Sequence, residues 1–321
     1  MKFLITGSAG FIGFHVSNML MKKNYKVIGV DNLNSYYSKT LKKDRNKILL
    51  KNKNYKFYKT DITKISKLEK IFKKEKVTHV INLAAQAGVR YSLKHPRPYI
   101  DTNLLGFFNV LNLSQKFRIK NFLYASSSSV YGYSKKKIFN INDKTDNPLS
   151  LYAATKKSNE LISYTYKHLY KMNIIGLRFF TVYGEYGRPD MSLFMFVRSI
   201  INNKIINVNN KGEMMRSFTY VGDLTKIFWD IINLNKNKKN NYKIYNIGNI
   251  KAFSLKKYIK IIEECLGKKA NKRMLGMQKG DVKTTKAGMS NFNKKYKFTD
   301  LKTGINNFIN WYKEYYLNHK G

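Results

Sequence analysis

Three observations predict that this 321-residue chain is an α/β protein, a doubly wound parallel sheet with a smaller, interleaved C-terminal domain. Short β-rich runs alternate with longer helical patterns through the first half, the spacing of βαβ units and a parallel sheet. The first apolar run, Lys2-Phe3-Leu4-Ile5, leads straight into a glycine turn, Thr6-Gly7-Ser8-Ala9-Gly10-Phe11-Ile12-Gly13. Residues 77–83 centre on Val80-Ile81, with Val77 and Leu83 at the ends, which fits a strand buried on both faces.

In chain order, strands are expected at residues 2–6, 25–30, 55–60, 77–83, 121–126 and 174–180. Helical patterns fall between them at 11–23, 66–74, 101–117 and 152–170. Beyond Phe180 the pattern loosens into a helix at 191–201, a short strand at 205–208, a helix at 223–234 and a returning strand at 243–247. Ser254 caps a helix whose apolar residues Leu255, Tyr258, Ile259, Ile262 and Leu266 keep the helical period, and Gly267 stops it. A last helix at 301–317 carries Ile305, Phe308, Ile309 and Tyr312 on one face. The domains expected are 1–180 with 218–249, and 181–217 with 250–321.

Composition excludes several classes. A 43% hydrophobic chain of this length buries a large core. The single cysteine, Cys265, rules out an internal disulfide framework and fits a reducing, cytoplasmic setting. No run of eighteen apolar residues exists to span a membrane, and no leader is expected before the first strand. The charge is +42, but only nine of the 61 basic residues are Arg. Lysines spread evenly among Asn, Ile and Tyr, residues that share A/T-rich codons, point to genome bias rather than to a nucleic-acid partner.

The glycine turn suits a pyrophosphate, because a strand opening into a helix puts free amides and a positive helix end at one point. Asp31 ends the next strand, 18 residues past Gly13, near the spacing for a carboxylate on the adenosine ribose. A carboxylate there repels a 2′-phosphate and favours NAD over NADP. Asp61-Ile62 and Leu83-Ala84-Ala85 end the third and fourth strands, at the sheet edge where doubly wound folds bind ligands. Further on, Tyr152 and Lys156 stand four apart on one helix face, so an ammonium lies beside a phenol. A phenol is a poor base at neutral pH unless a nearby cation stabilises its phenolate. Ser127, at the end of the fifth strand, can hydrogen-bond a substrate hydroxyl. Together these residues suit hydride transfer at a carbinol carbon, and no metal is expected.

The chain resembles the extended short-chain dehydrogenase/reductase superfamily, a Rossmann fold, and within it the UDP-glucuronate 4-epimerases. Five segments carry the resemblance: residues 31–37, 83–92, 124–132, 149–160 and 177–191. The last, through Gly187-Arg188-Pro189-Asp190-Met191, is the most specific. By position the resemblance implies a triad of Ser127, Tyr152 and Lys156. Cofactor contacts would fall on Gly7, Gly10, Phe11, Ile12, Gly13, Asp31, Asn32, Asp61, Ile62, Leu83, Ala84, Ala85, Gln86 and Asn103 as well. Substrate contacts would fall on Arg90, Ser128, Ser129, Thr181, Arg188, Arg216 and Asp281. Thr181 and Arg188 are implied to meet a substrate carboxylate, and Arg216 and Asp281 the UDP. The implied assembly is a homodimer through helices 101–117 and 152–170. Three departures touch the nucleotide contacts: Lys279 stands where the family has Pro, Lys286-Ala287-Gly288-Met289-Ser290 where an acidic-Thr pattern follows, and Ser217 where an acidic residue is common.

Several rivals share the scaffold. A 4,6-dehydratase needs a pair of carboxylates where Ser128-Ser129 stand, and a UDP-glucuronate decarboxylase usually carries Glu there. A UDP-glucose or UDP-N-acetylglucosamine 4-epimerase keeps the triad but needs no cation at C6. A Rossmann protein that only binds often lacks the Tyr–Lys pair, which this chain keeps.

Overall fold

A computed structural model describes residues 1–134, 136–278, 282–288 and 296–318. Five strands from the first half, β1 (Lys2–Thr6), β2 (Lys26–Asp31), β3 (Tyr55–Lys59), β4 (His79–Asn82) and β5 (Asn121–Ser127), join Ile174–Phe179 and Tyr242–Ile247 in one sheet. Across it the order runs Tyr242–Ile247, Ile174–Phe179, β5, β4, β1, β2, β3. β1 pairs parallel with both β2 and β4, so the winding reverses at β1 and opens a crevice at the carboxyl ends of the strands. Thr6, Asp31 and Ser127 each stand at such an end. Leu4, Val30, Val80, Phe122 and Ile174 fill the core as the inward faces of these strands.

Helix α1 (Phe11–Lys22) follows the glycine turn, and α2 (Lys39–Leu50) links β2 to β3. The apolar pattern gives no sign of α2, because most of its buried face is polar: Lys42, Arg45 and Asn46 lie inward beside Leu41 and Leu49. The stretch expected as one helix at 101–117 is two. Ile100–Gly106 is a π-helix, and Phe107–Lys116 continues it as an α-helix. No helix among the described residues is long and apolar enough to cross a membrane.

The chain forms two compact units: 1–133 with 144–179 and 225–245, and 134–143 with 180–224 and 246–321. The sequence boundaries therefore shift. Residues 134–143 belong to the second unit because Ile138 and Phe139 pair with Lys286 and Ala287. Residues 218–224 belong there too, since Phe218–Tyr220 pairs in parallel with Thr181–Tyr183. Inside this unit the Ser254 hydroxyl accepts the Lys257 amide at 3.2 Å, and Gly267 closes the helix with φ +64°. The rings of Phe218 and Tyr258 stack at 3.9 Å between its strands and helices.

Candidate functional site

The glycine turn is built around clearances no side chain could share. Gly7 has φ +71°, and a Cβ on it would stand 2.7 Å from the Ala84 nitrogen. A Cβ on Gly13 would stand 2.0 Å from the Gly7 carbonyl oxygen. Backbone thus packs directly on backbone where β1 passes into α1. Gly10 begins α1 with no side-chain cap, which leaves the amides of Phe11, Ile12 and Gly13 at a positive helix end. At the end of β2 the Asp31 carboxylate accepts the Ala9 amide at 3.1 Å and the Leu33 amide at 2.8 Å. Burial pushes its carboxyl up, while these amides, Lys42 and Arg45 oppose the rise. A backbone cradle, an open helix start and a carboxylate at the second strand end fit a dinucleotide with an unmodified ribose.

The neighbouring residues complete that edge. Asn32 donates to Asp61 at 2.7 Å, and Thr63 holds the other Asp61 oxygen through its amide and hydroxyl. Burial works against the Asp61 charge, but those hydrogen bonds outweigh it and hold the carboxyl below its ordinary value. Ile62 is buried against Gly106, where a Cβ would come within 2.6 Å. Leu83, Ala84 and Ala85 are half-buried, with the Leu83 and Ala84 amides tied to Thr6. Gln86 is buried, and the Asn103 amide grips both of its peptide groups, at 2.8 and 3.0 Å. The same amide donates to the Thr155 hydroxyl at 3.1 Å, which ties the cofactor edge to the helix of Tyr152.

That helix, Leu151–Tyr170, starts at Ser150, whose hydroxyl accepts the Ala153 amide at 3.2 Å. Tyr152 lies in its first turn, with its ring edge-on to Tyr99. Lys156, one turn on, is buried and donates to the Ala125 carbonyl at 2.9 Å. Burial lowers its pKa to about 8. Ser127 is buried at the end of β5, its hydroxyl accepting the Ser129 amide at 3.1 Å. Ser128 and Ser129 are half-buried in the turn that follows. The first unit thus gathers the glycine turn, Asp31, Asn103 and the Ser127–Tyr152–Lys156 set on one sheet and its flanking helices.

One buried pair beneath this set was not among the expected site residues. Arg178 grips Glu160 through two bonds of 2.8 Å and donates to the Tyr131 hydroxyl at 3.0 Å. Glu160 also accepts the Ser126 hydroxyl at 2.6 Å. The signal was in the sequence: Glu160 stands four residues past Lys156, on the same inward face.

Of the expected substrate residues, Arg90 is exposed on Val89–Lys94. In the second unit Thr181 is half-buried at the start of a strand. Arg188 is paired with Asp190, its Nε and Nη2 meeting the two carboxylate oxygens at 3.0 and 2.5 Å. Tyr186, in the same loop, holds φ +55° and rests its ring 4.9 Å from Trp311. Arg216 donates to the Met215 and Lys283 carbonyls. Asp281, Lys279, Met289 and Ser290 lie outside the described residues. No cluster of His, Cys, Asp and Glu fit for a metal occurs among the described residues.

Residues 3–248 match the NAD dependent epimerase/dehydratase family. The chain is 47% identical over 333 residues to protein CapI of Staphylococcus aureus, covering 98% of this chain and 99% of that protein. It is 43% identical over 316 residues to the UDP-glucuronate 4-epimerase of Thermodesulfobacterium geofontis, covering 97% and 96%. In three dimensions it resembles the UDP-glucuronic acid 4-epimerase of Bacillus cereus, crystallised with UDP-glucuronic acid and NAD. There the TM-score is 0.91 at 30% identity, over 98% of this chain and all of that one.

Proposed function

The chain belongs to the NAD-dependent epimerase/dehydratase family, and on that premise we propose that it inverts C4 of a UDP-hexuronate, converting UDP-glucuronate to UDP-galacturonate. The observation that carries this reading is full-length similarity to UDP-glucuronate 4-epimerases in a chain whose sequence carries Ser127, Tyr152 and Lys156. NAD, held by the glycine turn, Asp31, Asp61 and the 83–86 edge, supplies a reversible hydride acceptor at C4 when bound.

The residues of this chain manage the proton and the carboxylate. Tyr152, as phenolate, takes the C4 hydroxyl proton and gives it back to the C4 oxygen once the sugar has presented its other face. The Lys156 charge one turn away stabilises that phenolate. Ser127 hydrogen-bonds the C4 oxygen and shares the proton. Arg216 steadies the UDP while the oxidised sugar turns over.

The 4-keto sugar is a β-keto acid, which loses carbon dioxide when the breaking bond aligns with the ketone. Thr181 and Arg188 prevent this by fixing the C6 carboxylate, which takes the place Asp190 holds on the guanidinium. The expected assembly is a homodimer. Its support is the exposed apolar residues Leu105, Phe108, Leu161 and Tyr164 on the two helices that the family resemblance singles out. The lone cysteine supports a cytoplasmic setting.

The deciding experiment incubates the purified protein with UDP-glucuronate and separates UDP-galacturonate from UDP-pentose. UDP-galacturonate as main product bears the reading out. UDP-pentose alone would make the chain a decarboxylase, and turnover confined to UDP-glucose a neutral-sugar epimerase.

A further inference from the structure

We propose that Ser126 and Glu160 are positioning residues of this site: with Arg178 they fix where the helix of Tyr152 sits on the sheet, and so how closely the Lys156 ammonium supports the Tyr152 phenolate. The buried residues of that helix are Ala153, Thr155, Lys156, Asn159, Glu160 and Ser163. None is a large apolar side chain. Apolar contact has no preferred direction, so a helix resting on it can shift across a sheet. A polar face of this kind is seated instead by hydrogen bonds, which fix both distance and angle.

Two rungs, one helical turn apart, tie the helix to β5. The Lys156 ammonium donates to the Ala125 carbonyl at 2.9 Å, and the Ser126 hydroxyl donates to Glu160 at 2.6 Å. Ala125 and Ser126 directly precede Ser127, so both rungs end beside the hydroxyl assigned to the C4 oxygen. Ser126 also stands opposite Arg178 on the paired strand. The Glu160 carboxylate therefore spans two neighbouring strands, taking the guanidinium through two bonds of 2.8 Å.

Arg178 reaches on to the hydroxyl of Tyr131, the last residue of the turn Ser128–Tyr131. Base, cation and serine are thus stitched to one buried ion pair. Burial is what lowers the Lys156 pKa, while the Glu160 charge is met by Arg178. Glu160 accordingly serves Lys156 through position rather than through its field.

Ser126→Ala tests this, because it removes one rung and leaves Glu160 with both bonds from Arg178, so no charge is stranded. The Tyr152 phenol of the holoenzyme is titrated by its near-ultraviolet phenolate absorbance, as the difference from Tyr152→Phe in the same background. In Ser126→Ala it should ionise about one pH unit higher, leaving about tenfold less phenolate at neutral pH. On whichever of UDP-glucuronate and UDP-glucose is turned over, kcat should fall about ten- to hundredfold, the effect of a small misplacement of reacting groups, with KM and bound NAD unchanged. Ser126→Thr keeps the hydroxyl and should restore both. Glu160→Asp keeps the charge but shortens its reach, and carries the same expectation should the alanine variant fold poorly. A Tyr152 titration unmoved by Ser126→Ala, or a loss that threonine leaves unrestored, overturns the proposal. Only the kinetic arm rests on the epimerase reading; the titration needs no sugar and decides the positioning whatever the substrate.

Discussion

Two arginine–carboxylate pairs in this chain share a bidentate geometry and little else. Arg178 and Glu160 are 18 residues apart in sequence, bridge a strand and a helix, and have side chains only 4% exposed. Arg188 and Asp190 are two residues apart in one loop, 19% and 33% exposed. A buried pair cannot open without stranding a charge in low dielectric, so it acts as a brace between β5, Ile174–Phe179 and the helix of Tyr152. A local pair within reach of water loses little when it opens, so its cation can pass to a carboxylate from outside. Lys156 is a third case. It shares the core with Arg178, but its hydrogen bond goes to a neutral carbonyl. Burial lowers Lys156 to about 8, whereas the bonds to Glu160 overcome burial and raise Arg178.

The sharpest break is Glu160→Gln, which leaves the Arg178 charge buried and uncompensated. It should cost about 3–5 kcal/mol of stability, read as a lower urea midpoint. An unmoved midpoint would show that Glu160 is no brace. Arg188→Ala should do the reverse, shifting stability by no more than about 1 kcal/mol. It should lower kcat/KM on UDP-glucuronate about ten- to hundredfold, more than on UDP-glucose, and release UDP-pentose. Equal losses on both sugars with no pentose would make Arg188 structural.

Lys156 yields a pH dependence with a definite sign. Its charge is present below its lowered pKa of about 8 and lost above it. Turnover should therefore decline as pH climbs past about 8, by up to about tenfold per unit, and Lys156→Arg should remove the decline. A profile flat to strongly alkaline pH would separate Lys156 from the phenol. The smallest effect is expected of Asp190→Asn, which removes the charge competing for Arg188. KM for UDP-glucuronate should fall about two- to fivefold with the melting temperature unchanged, within the worth of a part-exposed ion pair. An unaltered KM would mean that Asp190 and the substrate do not compete.

What the sequence made legible follows from range. The strands of the first half, the glycine turn and the Tyr152–Lys156 spacing are local patterns, and apolar runs declare them. Helix α2 hid because Lys42, Arg45 and Asn46 read as solvent-facing and are buried by contacts with a loop, with the glycine turn and with Tyr55 of β3. Residues 134–143 hid because the partner of Ile138 and Phe139 lies almost 150 residues away. The Arg188 pairing stood in plain view as Arg-Pro-Asp. Only the structure shows both oxygens engaged.

The π-helical stretch Ile100–Gly106 has a consequence for how this gene can change. Its wide turns take in more residue per circuit than an α-helix does, so the segment carries a length its neighbours do not need. Dropping the codon of exposed Leu105 would let the stretch tighten to α geometry. Because the wide turns already hold the surplus residue, the segments on either side would keep nearly their present phase. The change would fall inside the stretch, where Asn103 would turn part of a step and strain its bonds to the Gln86 peptide groups and Thr155. Point changes at Leu105 keep the wide turns, so the same position should tolerate many letters, and a deletion there should cost the Asn103 contacts rather than the helix.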